Sequence, residues 1–143
     1  MLFIAADHAG YTKKEYLKKY FEAHGISFQD LGAHTLDRDD DYPDYAKKLA
    51  YEVKKNQLNK GILICGSGQG VCITANKVHG IRAALAWNSQ SARASRTDDD
   101  VNVLCLAARL LSNKEMEKIV LAWLKTPFSK KTRHIRRIQN IEK

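Results

Sequence analysis

The sequence predicts a three-layer, doubly wound α/β fold around a five-stranded parallel sheet. Short apolar runs alternate with segments of helical periodicity along the whole chain. Most of the runs are apolar throughout rather than every second residue, as strands covered on both faces are. No linker, repeat or low-complexity tract interrupts the alternation, and 143 residues suit one domain, read as 1–143.

The elements follow in order. "LFIAA" (2–6) is a first strand, ending at Asp7-His8. Residues 11–24 carry Tyr16, Leu17, Tyr20 and Phe21 at helical spacing. "ISFQDLG" (26–32) alternates and ends in glycine, a second strand, and an acidic, proline-containing loop (34–44) leads to a helix at 45–55. "GILIC" (61–65) is a third strand, followed by a helix at 69–78. "IRAALAW" (81–87) is a fourth strand and 89–96 a short helix. "VNVLCLAA" (101–108) is the fifth strand. Met116, Ile119, Val120, Trp123 and Leu124 form one apolar stripe over 114–125, and Pro127 stops that helix. Residues 133–141 suit a last short helix.

Bulk properties narrow the function. With 44% hydrophobic and 28% charged residues the chain reads as globular. It has no run long enough to span a bilayer, and its start is a poor signal peptide, so no membrane association and a cytoplasmic location are expected. Cys65, Cys72 and Cys105 lack the spacing of a zinc site or disulfide framework. Cys72 and Cys105 read as small buried hydrophobes. The net charge is +8, much of it in the C-terminal segment "KKTRHIRRIQNIEK". Such a tail suits nucleic acid, a phosphorylated small molecule, or plain solvation. The chain lacks an aromatic-basic pattern, so nucleic acid is not the expected partner.

In doubly wound folds ligands sit beyond the carboxyl ends of the strands. Asp7-His8, Cys65 to Gly70, Trp87-Asn88 and Arg109 all fall there. Cys65 stands where a strand gives way to a helix, a place whose amides favour an anion and raise the thiolate fraction. Gly66, Gly68 and Gly70 leave the backbone N–H groups open to a ligand, and Ser67 adds a hydroxyl. A thiolate beside such donors suits proton abstraction next to a carbonyl, the donors holding the enediolate oxygen. A tight turn over a buried cysteine is the plainer reading. Asp7 reads as a cap of the first helix or as a site residue. Arg133 and Arg137, four apart, share a helix face and suit phosphate oxygens, or else solvate a basic tail. The carboxylates of "TDDD" (97–100) read first as a loop cap rather than a metal site.

The stretches "DHAGYTKK", "DLG", "DYPDYA", "GILICGSGQGVCITANK", "GIRAAL", "NVLCLAARLL", "AWLKTPF" and "RHIRR" lie in one order over nearly the whole chain. In them the chain resembles the type B ribose-5-phosphate isomerases and the related galactose-6-phosphate isomerase subunits. The resemblance implies a flavodoxin-like sandwich that interconverts an aldose and a ketose phosphate through an enediolate, without metal or cofactor. Cys65 would then be the base. The backbone across Gly66, Ser67, Gly68, Gln69 and Gly70, with the Ser67 hydroxyl, would form the anion hole. Asp7 would hold sugar hydroxyls. His8, Arg133 and Arg137 would grip the phosphate, with Arg109 lining the same pocket. The resemblance also implies a homodimer or homotetramer whose site is shared between subunits.

One departure bears on the chemistry. The family usually carries His-Asn before the fifth strand, where this chain reads "SRTDDD", with Asp98 and Asp99 at those positions. That histidine is thought to open the sugar ring. An aspartate also moves protons, but its unperturbed pKa is about 3.9 against about 6.5 for histidine. Crowding by Asp99 and Asp100 would raise it and let Asp98 act as general acid or base. The alternatives are slow ring opening, use of the open-chain sugar, or another substrate such as a hexose 6-phosphate. A second departure, "SKKT" before Arg133 where the family often has a glycine pair, adds charge at the phosphate end.

Overall fold

A computed structural model describes residues 1–143. The elements run β1 (Leu2–Ala6), α1 (Tyr11–Ala23), β2 (Gln29–Asp30), α2 (Tyr42–Lys54), β3 (Lys60–Cys65), α3 (Gln69–Ala75), β4 (Ala83–Leu85), α4 (Ser89–Asp99), β5 (Val103–Ala107), α5 (Asn113–Lys125) and α6 (Thr132–Asn140). All strand pairs are parallel, in the order β2-β1-β3-β5-β4. This is the expected doubly wound class. The last two strands are exchanged relative to the 2-1-3-4-5 flavodoxin order, so β5 lies inside and β4 at the edge.

The pleat divides the core. Leu2, Ile4, Ala6, Ile62, Ile64, Leu104 and Leu106 pack with Leu17, Phe21, Met116, Val120 and Trp123, beneath α1 and α5. The alternate residues Phe3, Ala5, Leu63, Cys65, Val103 and Cys105 face Leu49, Val53, Val71 and Ala75 of α2 and α3. Period-two alternation thus buries both faces of each inner strand, which is why those strands read as unbroken apolar runs. Cys65 belongs to the α2/α3 side.

Several boundaries differ from the expectation. The second strand is not 26–32 but only Gln29–Asp30, extended by ladder bonds from Leu31 N–H to Ile4 and from Ala33 N–H to Ala6. Ile26 and Phe28 instead pack sideways into the α1/α5 core. α2 begins at Tyr42, inside the expected acidic loop, because Pro43 occupies its first turn and lacks only an N–H that would be unpaired there anyway. α4 runs three residues past the expected 96. Asp98 and Asp99 therefore close a helix rather than form a loop, and Asp100, at φ 46°, is the cap. Buried Arg96 ties that end down, donating to Asp100 Oδ1 and to Val101 O, each at 2.7 Å.

Candidate active site

The carboxyl ends of β1, β3 and β5 lie side by side, and the loops leaving them are fastened together. Ala108 N–H donates to Cys65 O at 2.9 Å and Arg109 N–H to Gly66 O at 3.0 Å. Gly10 brings the first loop against β3, where a Cβ would lie 2.4 Å from Ile64 O. Asp7 is buried, and its Oδ1 accepts the Gly10 N–H at 3.0 Å. Gly10, not Asp7, occupies the α1 N-cap position. Burial pushes the Asp7 carboxyl up, against the pull of the Gly10 amide and His8.

Cys65 closes β3 and is 5% exposed. Gly68 N–H donates to its Sγ at 3.2 Å. Gly68 itself has φ +73°, and a Cβ there would strike Leu85 and the Leu106 carbonyl. Only glycine suits that position. Gly66 is flat against the Arg109 guanidinium, 2.7 Å from where a Cβ would stand. Gly70 is covered in the same way by the ring of Tyr42. The three glycines therefore serve three different close approaches. Ser67 and Gln69 are exposed at the loop tip, and the Gln69 N–H reaches Ser67 Oγ at 3.3 Å.

His8 lies on the neighbouring loop and pairs with Asp40. Its backbone N–H and ring Nδ1 meet the same Asp40 Oδ1 at 2.9 and 2.7 Å. Asp7, His8 and Asp40 each bring a potential metal-ligand atom to within 4.8 Å of the others. Their hydrogen bonds already account for that closeness. His8 Nδ1 is engaged by Asp40, and Asp7 Oδ1 by Gly10.

The remaining candidates lie elsewhere in the chain. α4 is capped by Asn88, beyond β4, and runs back to the amino end of β5, so Asp98 and Asp99 sit at the opposite end of the sheet from Cys65. α6 packs at that same end, where Ser129 N–H donates to Thr97 O and His134 Nδ1 lies 3.3 Å from the same oxygen. Arg133 and Arg137 project from α6 and are exposed. A single chain thus brings Asp7, His8, Gly66 to Gly70 and Arg109 to Cys65, but not Asp98, Asp99, Arg133 or Arg137. Of the two carboxylates expected to crowd Asp98, Asp100 is turned to other partners. Asp100 is engaged by Arg96 and Arg82, and Asp98 faces His134, with 3.8 Å between Oδ1 and Nδ1.

Sequence reasoning missed Asp40 and Tyr42. Pro43 was the available signal for a helix start at Tyr42, whose ring covers Gly70, while Asp40 just before it meets His8.

A parallel sheet whose carboxyl edge carries a thiol under a glycine-rich loop beside a histidine–carboxylate pair has the form of an α/β ligand-binding fold. The chain belongs to the Ribose/Galactose Isomerase family, whose sequence model matches residues 2–141. It is 45% identical over 141 residues to the probable ribose-5-phosphate isomerase B of Mycoplasma genitalium, covering 98% of this chain and 92% of that one. It is 38% identical over 137 residues to ribose-5-phosphate isomerase B of Mycobacterium tuberculosis, covering 96% and 85%. The crystal structure of the Mycoplasma genitalium enzyme with bound ribulose-5-phosphate superposes with a TM-score of 0.93 at 45% identity, covering 98% and 92%. The ribose-5-phosphate isomerase B of Clostridium thermocellum gives 0.93 at 40%, covering 98% and 93%.

Proposed function

We propose that this chain is an aldose–ketose isomerase that interconverts ribose 5-phosphate and ribulose 5-phosphate. The observation that carries the reading is Cys65 at the carboxyl edge of β3 with an amide aimed at its sulfur, in a fold shared with a relative that binds ribulose-5-phosphate. As thiolate, Cys65 takes the proton from C2 of the open-chain aldose. The electron pair moves into a C1–C2 double bond, and negative charge gathers on the carbonyl oxygen O1. The Gly66 to Gly70 amides and the Ser67 hydroxyl hold that charge. The proton returns to C1, O1 is protonated, and the O2 proton leaves as C2 becomes the carbonyl. Atoms and electrons stay within the sugar, so the step uses no external oxidant or cofactor. Asp7 holds sugar hydroxyls, while His8 and Arg109 face the substrate from the flanking loops.

Arg133 and Arg137 reach the phosphate from a second copy of the chain, which sets its α4–α6 end against the Cys65 rim of the first. The supports are the separation of the two groups within one chain and the exposed apolar side chains beside the rim. Trp87 is 69% and Leu110 76% exposed. The assembly is a homodimer or a homotetramer. No helix is long and apolar enough to cross a membrane. A cytoplasmic setting fits three unpaired thiols and a sugar-phosphate substrate. Residues 1–143 act as one domain.

A second reading rests on Asp98 and Asp99. Asp98 is 53% exposed at the helix end. A carboxylate in the place of the family's histidine changes the group that would open the sugar ring. The chain would then act weakly on the furanose, or on another sugar phosphate such as a hexose 6-phosphate. The test is an isomerase assay of the purified protein against phosphorylated pentoses and hexoses, with Asp98→His alongside. Fastest turnover on ribose 5-phosphate supports the first reading. Preference for a hexose phosphate, or turnover seen only in D98H, supports the second.

A further inference from the structure

We propose that Asp40 is a positioning residue for substrate binding, holding the His8 imidazole charged and oriented so that its Nε2–H is offered to the substrate phosphate. This rests on the phosphate-binding reading of His8. Three observations carry it. First, one carboxylate oxygen, Asp40 Oδ1, receives both the His8 backbone N–H and the ring Nδ1, at 2.9 and 2.7 Å, which fixes the loop and the rotamer together. Secondly, the Asp40 side chain is 7% exposed, whereas that of His8 is 34% exposed, so the pair has one buried and one open end. Thirdly, Asp40 Oδ2 is buried and makes no close hydrogen bond, although the Tyr45 phenol faces this carboxylate. A buried carboxylate that is only half satisfied depends on a nearby positive charge.

The chemistry follows from the two ring nitrogens. A carboxylate at Nδ1 keeps the proton there in either state. Neutral His8 would therefore present a lone pair at Nε2 and repel phosphate oxygens, whereas charged His8 presents an N–H. The charged groups facing His8 are Asp40, from the loop before α2, and Asp7, from the end of β1. Tyr45 of α2 faces Asp40 in turn, its phenol pushed up first by burial and then by that carboxylate. Both aspartates favour the imidazolium. Asp40 contributes most through its hydrogen bond, and His8 is held above its ordinary value against a smaller opposing effect of desolvation.

The experiment follows the His8 ring by NMR titration in the wild-type protein and in Asp40→Asn, together with KM and kcat for ribose 5-phosphate between pH 5.5 and 8. Asparagine retains an oxygen acceptor but removes the charge. The expected result is a lower His8 midpoint in D40N. KM should rise several-fold over wild type at pH 8 and little at pH 5.5, with kcat nearly unchanged, and D40E should restore the wild-type profile. In His8→Ala the further change D40N should have no effect on KM. An unmoved His8 midpoint overturns the role of Asp40 alone. A lowered midpoint with KM unchanged in both D40N and H8A overturns the phosphate reading of His8, and the proposal falls with it. Should D40N not fold, the wild-type titration decides. His8 must titrate above the ordinary value of about 6.5, and a midpoint at or below it overturns the proposal.

Discussion

Cys65 is one of three thiols within a few side chains of each other, and their surroundings separate their roles. Cys105 is fully buried, and its thiol is pushed far up by desolvation. Cys72 accepts a hydrogen bond from Cys105 that outweighs its own burial and lowers it to about 7. Iodoacetamide at pH 7.5 should therefore label Cys72 and leave Cys105 untouched, as read by peptide mass mapping, and Cys72→Ala should keep isomerase activity. Loss of activity in C72A would move the chemistry away from Cys65. The glycines make an independent test. Gly66→Ala sets a methyl group against the Arg109 guanidinium. It should lower kcat/KM on the order of tenfold, about 1.4 kcal/mol of transition-state binding, while Tm changes little. The cysteine and the glycine loop were legible because their spacing is itself the signal. Asp40 and Tyr42 were not. A carboxylate in an acidic run reads as solvated, and only the fold shows that the side chain of Asp40 is covered.

At the scale of the element, fully buried strands and their crossover helices were legible because apolar continuity reports burial directly. The edges were not. β2 has two residues because Ile26 and Phe28 are drawn to the helix side, and α4 outruns its apolar pattern because Arg96 anchors its last turn. Lys14 has no sequence signature at all. It is fully buried on the inner face of α1, with Nζ 2.7 Å from Asp30 Oδ2 and 2.6 Å from Glu15 Oε1. Burial opposes ionisation of Asp30, but hydrogen bonds from Lys14, Lys18 and the Gly32 N–H prevail and hold its carboxyl below the usual value. The stability gained is thus present above the unfolded carboxyl value, near 3.9, and is lost as pH falls through the folded one. Asp30→Asn should cost about 3 kcal/mol at pH 7 by leaving a buried cation half paired. That penalty should shrink on acidification, as chemical denaturation at pH 7 and pH 3 would show. Equal penalties at both would contradict the pairing.

For the whole molecule, a parallel sheet puts the start and end of every helix at opposite edges. Cys65 and the α6 arginines are consequently separated within one chain, which no reading of local sequence reveals. The shared-site arrangement predicts complementation. Cys65→Ala and the double variant Arg133→Ala/Arg137→Ala should each be inactive alone, and mixing after subunit exchange should restore activity through dimers holding one intact site. Failure of exchanged subunits to regain activity would place the phosphate grip within a single chain.

Whether the Cys65 sulfur moves the proton is measured directly by ribose 5-phosphate turnover in deuterium oxide by wild-type protein and Cys65→Ala. The wild type should yield ribulose 5-phosphate carrying solvent deuterium next to its carbonyl. The variant should bind the sugar phosphate by calorimetry yet neither convert it nor exchange its C2 hydrogen. A C65A protein that still converts or exchanges would take the sulfur out of the proton transfer.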